Sequence, residues 1–136
     1  TYDWDKYRKK YDTKASDGNL TLQPEDDAAT VKWGKRFRMP TMNEMEELLN
    51  KCVWTWSSGG YKVTGPNGKA IFFPVTYYNN FNDWYEAEYW SSTNKKAGVT
   101  VGGVYSISLN SEVMGKYNEY VGVPYSGMYI RPVATK

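Results

Sequence analysis

Residues 38–47 read Arg-Met-Pro-Thr-Met-Asn-Glu-Met-Glu-Glu, a stretch that combines several signals of a helix start. Pro40 restricts the residue before it to extended conformations. Thr41 can accept a hydrogen bond from the backbone of the next turn, and Glu44 three residues later completes the reciprocal S/T-x-x-E capping box. The stretch therefore predicts a helix over residues 42–52.

The predicted helix is amphipathic. Its apolar residues recur at spacings of three and four: Met45, Leu48, Leu49 and Cys52. Most of its acidic and amide side chains lie on the opposite face, so we expect the apolar face to dock on a sheet. Cys52 is the only cysteine, which excludes an intrachain disulfide framework and predicts a buried small hydrophobic residue rather than a nucleophile.

Two other regions carry local signals of structure. Pro24 precedes three acidic residues, a pattern typical of the first turn of a helix, and predicts a helix over residues 24–32. Residues 61–64 and 69–73 flank Gly65-Pro-Asn-Gly68, whose asparagine and glycine tolerate positive φ. This region therefore predicts a β-hairpin.

The C-terminal part predicts strands. Residues 104–109 alternate, with Tyr105, Ile107 and Leu109 on a core face and Ser106 and Ser108 on a solvent face. A partner strand is expected over residues 112–114 and a final strand over residues 128–133. Pro132 in that last strand favours an edge position or an irregularity near its end.

A series of motifs extends from the central helix in both directions. In chain order they are Glu25-Asp-Asp-Ala-Ala-Thr30, Lys32-Trp-Gly-Lys-Arg-Phe-Arg38, Asn50-Lys-Cys-Val-Trp-Thr-Trp56, Gly60-Tyr-Lys-Val-Thr-Gly-Pro-Asn-Gly68, Ile71-Phe-Phe-Pro74, Tyr89-Trp-Ser-Ser-Thr93 and Tyr129-Ile-Arg-Pro-Val133. The series covers residues 20–133 and resembles the major paralogous domain of bacterial surface and secreted proteins. That family is a relative of the formylglycine-generating-enzyme branch of the C-type-lectin-like fold.

The resemblance implies a fold and a location. It implies one α+β C-type-lectin-like domain over residues 1–136, in which two helices flank small twisted antiparallel sheets. It also implies display outside the cytoplasm. The region after Tyr89 is similar to the part of phage receptor-binding and bacterial surface proteins that diversity-generating retroelements vary, where Asn, Tyr, Ser and Asp face solvent on a rigid frame.

Composition sets consistent bounds. At 136 residues and 15.7 kDa the chain is long enough for one domain with a real core. Its net charge of +2 is close to neutral, so the chain does not have the strongly basic character of a nucleic-acid binder. No apolar run approaches the roughly 20 residues of a membrane span, and the start at Thr1 without methionine indicates a mature or excised segment of a secreted protein. A basic cluster, Lys6, Arg8, Lys9 and Lys10, predicts a solvated face, or alternatively a contact to phosphate or an anionic surface.

The residue inventory argues against an enzyme. The chain has no histidine, which removes Ser-His-Asp and Cys-His machinery, and it has no glycine-rich phosphate loop. Formylglycine-generating enzymes use cysteine chemistry in the C-terminal part of the domain, and residues 89–136 contain no cysteine. The pair Glu86 and Glu88 is the acid pair that a degenerate enzyme would use, given an enclosed site.

No metal or other cofactor is expected. C-type lectins that bind sugars chelate calcium through a Glu-Pro-Asn or Gln-Pro-Asp loop and a Trp-Asn-Asp motif. Here Asn82-Asp83-Trp84 has those residue types in another order, and Gly65-Pro-Asn67 has no acid, whereas calcium takes six to eight oxygens. We interpret the first as a loop and the second as a turn.

Aromatic residues are the most unusual feature of the composition. They make up 17% of a chain whose mean hydropathy is −0.71, and 13 of them are tyrosines. Eight within the family-like motifs are expected in the core: Trp33, Phe37, Trp54, Trp56, Phe72, Phe73, Trp90 and Tyr129. Residues 77–85, 115–120 and 125–127 instead mix Tyr with Asn, Ser and Gly in predicted loops, the chemistry of a recognition surface. The alternative is that these rings fold back onto a small core.

The sequence therefore predicts a non-catalytic, extracytoplasmic ligand-binding domain, an adhesin or receptor-binding module, that contacts a protein or glycan without metal. The expected contact residues are Tyr78, Asn80, Trp84, Tyr85, Ser106, Ser108, Asn110, Tyr117, Asn118, Tyr120 and Tyr125. One alternative is a structural scaffold module of a larger surface protein. Another is a degenerate enzyme of the formylglycine-generating-enzyme superfamily.

Overall fold

The computed structural model describes residues 21–80, 84–97, 100–111, 117–122 and 128–135. Within these ranges the chain is α+β, with two helices and three small antiparallel sheets. The helices are α1 (Ala28–Trp33) and α2 (Met42–Lys51); the strands are β1 (Phe37–Arg38), β2 (Val53–Ser57), β3 (Gly60–Thr64), β4 (Ala70–Pro74), β5 (Tyr77–Asn79), β6 (Trp84–Ala97), β7 (Thr100–Asn110), β8 (Tyr117–Gly122) and β9 (Val133–Ala134). Neither of the helices in these ranges is long and apolar enough to cross a membrane.

The predicted capping box is present at the start of α2. The Glu44 amide donates to Thr41 Oγ1 at 3.3 Å, and the Thr41 amide donates back to Glu44 Oε2 at 2.8 Å. Arg38 adds a two-pronged ion pair, with Nη1 2.7 Å from Oε2 and Nη2 2.6 Å from Oε1 of Glu44. The predicted helix over residues 42–52 is confirmed, and Cys52 forms its C-cap.

The first helix starts later than the sequence predicts. Residues 24–26 form a turn, and α1 begins after Asp27. The Asp27 carboxylate accepts from the Thr30 amide at 2.9 Å through Oδ1 and from the Met39 amide at 2.8 Å through Oδ2. The Asp27 side chain caps the helix and also ties it to the segment after β1. It stabilises the fold more as the N-cap than it would within the first turn, and this explains why α1 starts later than predicted.

The three-stranded sheet, which we call the small sheet, has the order β2-β3-β4. Its β3–β4 hairpin confirms the hairpin predicted around residues 65–68. The Gly68 amide donates to the Gly65 carbonyl at 2.9 Å, and Gly68 has φ of 75°, a left-handed conformation that favours glycine. Strand β2 was not predicted. It follows α2 directly and pairs with β3 along all five residues.

The large sheet has the order β5-β6-β7-β8. Beyond β5, the same edge of β6 pairs with two other segments. The Trp90 amide donates to the Tyr129 carbonyl at 3.0 Å, and the Leu22 amide donates to the Ser92 carbonyl at 2.8 Å. The strand predicted over residues 128–133 is thus a single parallel bridge at Tyr129, followed by the two-residue strand β9 paired with β1.

Two clusters of buried side chains lie on opposite faces of β6. The larger contains Met42, Met45, Trp54, Tyr61, Val63, Phe73, Val75, Ala87, Tyr89, Ile107 and Leu109. The smaller contains Ala29, Met39, Trp90 and Val104. Successive strand residues point to opposite faces, so Tyr89 belongs to one cluster and Trp90 to the other. Leu48, Leu49 and the half-buried Cys52 pack against the larger cluster, and the expected docking of α2 on a sheet is confirmed.

The expected core role of eight aromatic residues is correct for three of them. Trp54, Phe73 and Trp90 are buried, whereas Trp33, Phe37, Trp56, Phe72 and Tyr129 are between 36% and 46% exposed. For Trp56 and Phe72 the reason is that the small sheet has one face on the core, so rings at its ends and on its outer face stay at the surface. Periodicity alone does not reveal this, because a large ring in a strand looks the same in either place.

We expect Glu44→Gln to lower the free energy of unfolding by about 0.5–1 kcal/mol at neutral pH, because it breaks the Arg38 ion pair at the helix start. The hydrogen bond from Arg38 and that from Thr41 hold the pKa of Glu44 below its ordinary value of 4.5, at about 2. A carboxyl group with a depressed folded pKa stabilises above its unfolded pKa and loses that contribution as pH falls. Denaturant titrations of the wild type and variant should therefore converge between about pH 4.5 and 2. Glu47→Gln, which removes an exposed pair with Lys51, is the control; a gap that persists unchanged at low pH would contradict this account.

Gly60 is the position where the small sheet tolerates no side chain. A Cβ there would overlap the Phe73 carbonyl oxygen and approach the Phe72 ring within 2.9 Å. We expect Gly60→Ala to lower the free energy of unfolding by about 1–3 kcal/mol, measured by denaturant titration. The neighbouring exposed Ser58→Ala should change it by less than about 0.5 kcal/mol. Equal effects of the two substitutions would show that Gly60 is not sterically restricted.

Candidate ligand-binding surface

The predicted loop over residues 77–85 is largely a hairpin. Strand β5 pairs with the start of β6 in the register Tyr77 with Glu86, Tyr78 with Tyr85 and Asn79 with Trp84, and Asn80 begins the turn. The prediction of a loop was wrong for a physical reason. At this end of the sheet both faces meet solvent, so no apolar alternation is needed to form the strand.

Tyr78 and Tyr85 form an exposed aromatic pair on this hairpin. Their ring centroids are 5.1 Å apart, and the residues are 42% and 47% exposed. Directly opposed aromatic residues stabilise an antiparallel pair. Both lie on the sheet face that carries Ala87 and Tyr89 further along, but beyond the buried core. On the other face, Tyr77 is 60% exposed.

The end of β7 connects this hairpin to the small sheet. The Ser111 amide donates to the Tyr85 carbonyl at 2.9 Å, and the Tyr61 hydroxyl donates to the Asn110 carbonyl at 2.7 Å. The Trp56 ring stands edge-on to the Tyr61 ring, with centroids 5.0 Å apart, and is exposed. We call Trp56, Tyr78 and Tyr85 the aromatic surface.

Trp56 is the residue that the sequence reasoning missed, because it was counted among the core rings. A signal for its exposure was available. Trp56 stands at the end of its strand, next to Ser57-Ser-Gly-Gly60, and a side chain beside such a turn has little of the sheet left to cover it.

The opposite face of the large sheet is polar beyond the smaller core cluster. The register places Glu86 opposite Asn110 and Glu88 opposite Ser108, and all four are half-buried. Partial burial, together with the neighbouring Glu86, raises the pKa of Glu88. No three His, Cys, Asp or Glu side chains converge within the described ranges.

Tyr89 is a structural hydroxyl. Burial and the neighbouring Tyr129 raise the pKa of Tyr89 to about 12, so its hydroxyl stays protonated and donates to the Pro74 carbonyl at 2.7 Å. This bond ties the large sheet to the end of β4.

Ser106 corrects the expectation of a solvent face on β7. It is 0% exposed, because the smaller core cluster with Trp90 and Val104 covers this level of the sheet. Its Oγ has no hydrogen-bond partner among the residues that the structure describes. Ser108 and Asn110 lie further along, where that cover ends, and are half-buried.

The remaining predicted site residues fall in two groups. Tyr117, Asn118 and Tyr120 lie on strand β8 rather than in a loop, with Tyr117 opposite Ile107; for these three and for Trp84, on β6, only the backbone is described. Tyr125, residues 112–114, the Asn82-Asp83 pair and the basic cluster at residues 6–10 lie outside the described residues. The structure thus brings together Tyr78, Asn80 and Tyr85 on one hairpin.

Comparisons with protein-family models, with curated proteins and with solved structures found no match to this chain. The candidate surface therefore rests on the geometry of the residues themselves.

We expect Ser106→Ala to leave the free energy of unfolding unchanged or raise it by up to about 1 kcal/mol, because an unpaired buried hydroxyl is removed. Ser91→Ala is the matched variant: Ser91 is equally buried, but its Oγ donates to the Tyr105 carbonyl at 2.7 Å. That substitution should cost about 1 kcal/mol. Denaturant titration of both variants checks the contrast, and a loss of stability in Ser106→Ala as large as that in Ser91→Ala would show that the Ser106 hydroxyl has a partner.

Proposed function

We propose that this chain is a non-catalytic binding domain that acts outside the cytoplasm, as an adhesin or receptor-binding module, and that the aromatic surface contacts a protein or glycan ligand. The observation that carries the proposal is the exposed pair of Tyr78 and Tyr85 on an ordered hairpin. Two helices with small antiparallel sheets are also what the resemblance to the C-type-lectin-like fold implies, and this supports that finer assignment.

The physical argument rests on preorganisation. Tyrosine offers a large contact area with only two side-chain torsions, so little conformational entropy is lost on binding. Here the two rings already contact each other, and both backbones are held in strand pairing. A ligand therefore meets rings whose positions are set before binding, which lowers the entropic cost of association.

The scaffold alternative uses a different surface. The outer face of the small sheet exposes Val53, at 67%, and Phe72. A neighbouring domain of the same protein would cover these residues and leave the aromatic surface without a role. The enzyme alternative would use Glu86 and Glu88, which are half-buried on the same face of the large sheet.

Diversification of the region after Trp90 by a retroelement stays a prediction. Ser106 is buried in that region, so a rigid frame would keep it small, while Ser108 is partly accessible. Concentration of nucleotide changes at adenines among sibling genes would support the retroelement.

We expect Tyr78→Ala combined with Tyr85→Ala to weaken ligand binding by at least about 2 kcal/mol, roughly 30-fold in Kd, because rigid aromatic anchors dominate interface energies. The probes are a printed array of neutral and acidic oligosaccharides and a displayed peptide library, each screened with the wild-type chain. Affinities of the strongest probe are then measured for both proteins by calorimetry.

Phe72→Ala is the matched control, since Phe72 is a similarly exposed ring on the other small-sheet face. It should leave the affinity within about twofold if the aromatic surface is the site. Loss of binding in Phe72→Ala with none in the tyrosine variant would favour the scaffold surface instead. Absence of any binding by the wild-type chain to either probe set would count against the binding function.

A further inference from the structure

A second surface lies at the end of α1 and the start of β1. Every residue from 31 to 37 is exposed, and yet the segment is ordered by several hydrogen bonds. The Gly34 amide donates to the Thr30 carbonyl at 2.9 Å, and Thr30 Oγ1 donates to the Phe37 carbonyl at 2.9 Å. Helix, turn and strand are thus tied into one unit.

This unit, which we call the basic-aromatic segment, combines cations with exposed apolar side chains. Its sequence is Val31-Lys-Trp-Gly-Lys-Arg-Phe37. Lys32, Lys35 and Arg36 form no ion pair within the described part of the chain. Val31 is 67% exposed and Trp33 46%, and Lys32 Nζ lies 5.8 Å from the centroid of the Trp33 ring.

The C-terminal strand holds the backbone of the segment and leaves its charges available. Thr135 donates through its amide to the Arg36 carbonyl and through Oγ1 to the Lys35 carbonyl, both at 2.9 Å. Phe37 pairs with Ala134 in the β1–β9 sheet. Because the backbone carbonyl oxygens accept these bonds, the Lys35 ammonium and the Arg36 guanidinium take no part in them.

We propose that the basic-aromatic segment adsorbs to the surface of a lipid bilayer that contains anionic headgroups. The charges are complementary, because three cations with no ion pair to any described residue lie within five positions and would meet a negative surface. An indole ring with an apolar body and one polar N–H suits the boundary between headgroups and acyl chains. This surface shares no residue with the aromatic surface, so the inference stands independently of the proposed function.

A bilayer fits these residues better than a nucleic acid. A nucleic acid would engage the three cations through its phosphates, but it would leave the most exposed apolar side chain of the segment, Val31, in water. The net charge of the chain is only +2, and the exposed Glu25 lies before the start of α1, at the end away from Trp33. A headgroup layer instead accepts cations and apolar side chains at the same boundary.

The test is co-sedimentation of the whole chain with vesicles of phosphatidylcholine, with and without phosphatidylglycerol. We expect binding to the anionic vesicles that weakens as salt is raised. Each cation near such a surface contributes about fivefold, so Lys35→Gln with Arg36→Gln should lower the partition coefficient about 25-fold. Lys62→Gln with Lys69→Gln is the matched control: it removes the same charge from exposed residues elsewhere and should lower the coefficient by less than about fivefold.

A second variant separates the apolar contribution from charge. Trp33→Ala should also lower the partition coefficient into anionic vesicles, with its free energy of unfolding measured alongside to show that it folds. Equal losses in the two double variants would mean that net charge alone drives binding and would overturn the proposal. Failure of the wild type to bind anionic vesicles would overturn it too, as would binding to duplex DNA or heparin in preference to those vesicles.

Discussion

Strand β6 holds the stretch that decides the fold in place, through two residues. The Ser92 amide donates to the Pro40 carbonyl at 2.8 Å, and Thr93 Oγ1 accepts from the Met42 amide at 2.9 Å. These bonds fix the segment before α2 and the first turn of the helix against the large sheet. The bond to Thr93 satisfies the Met42 amide, which has no partner within the helix and would be costly to bury without one. The orientation of α2 over the sheet follows from them.

Strand β6 also separates the two clusters of buried side chains, because it contributes to one with each face. One of its edges pairs with β7, and its other edge is shared by β5, Tyr129 and Leu22. Its alternating side chains serve both faces, with Tyr89 on one and Trp90 on the other. A strand buried on both faces over its middle has exposed faces only at its ends. The hairpin with Tyr78 and Tyr85 is at one such end, which is why rings on a regular strand can face solvent there.

Local signals in the sequence were sufficient for some elements and insufficient for others. The capping box of α2 and the turn between β3 and β4 depend on residues within four positions of each other, and both were predicted. Burial of Ser106 depends on Trp90, sixteen positions away, and on a second core that no local pattern reveals. The alternation in residues 104–109 was interpreted correctly as a strand with Ile107 and Leu109 in the core; that its other face is also covered at Ser106 could not be read from it.

The same distinction applies to the candidate surfaces. The tyrosines of residues 77–85 were identified from composition, but as a loop, because a strand with solvent on both faces needs no apolar period. Trp56 was assigned to the core as a large ring within the family-like motifs, and the buried Trp54 lies two residues before it on the same strand face. The difference between the two tryptophans is their distance from the strand end, and it becomes visible only once the extent of the core is known. In a domain with such small sheets, the limits of the core decide which aromatic residues stabilise the fold and which are left for a ligand.

The exposed rings also differ in what holds them. The Phe72 ring packs over Gly60, at a point where Gly60 has no room for a side chain. The ring therefore contributes to the packing of the small sheet, even though part of it is exposed to solvent. Tyr78 and Tyr85 contact each other at the end of a hairpin, and the larger core is complete without them. Apolar area that stays exposed gains little from folding, because the hydrophobic contribution scales with area removed from water. Tyr78 and Tyr85, held by strand pairing, keep 42% and 47% of their surface exposed, and a ligand that covers them would gain the hydrophobic contribution of that remaining area.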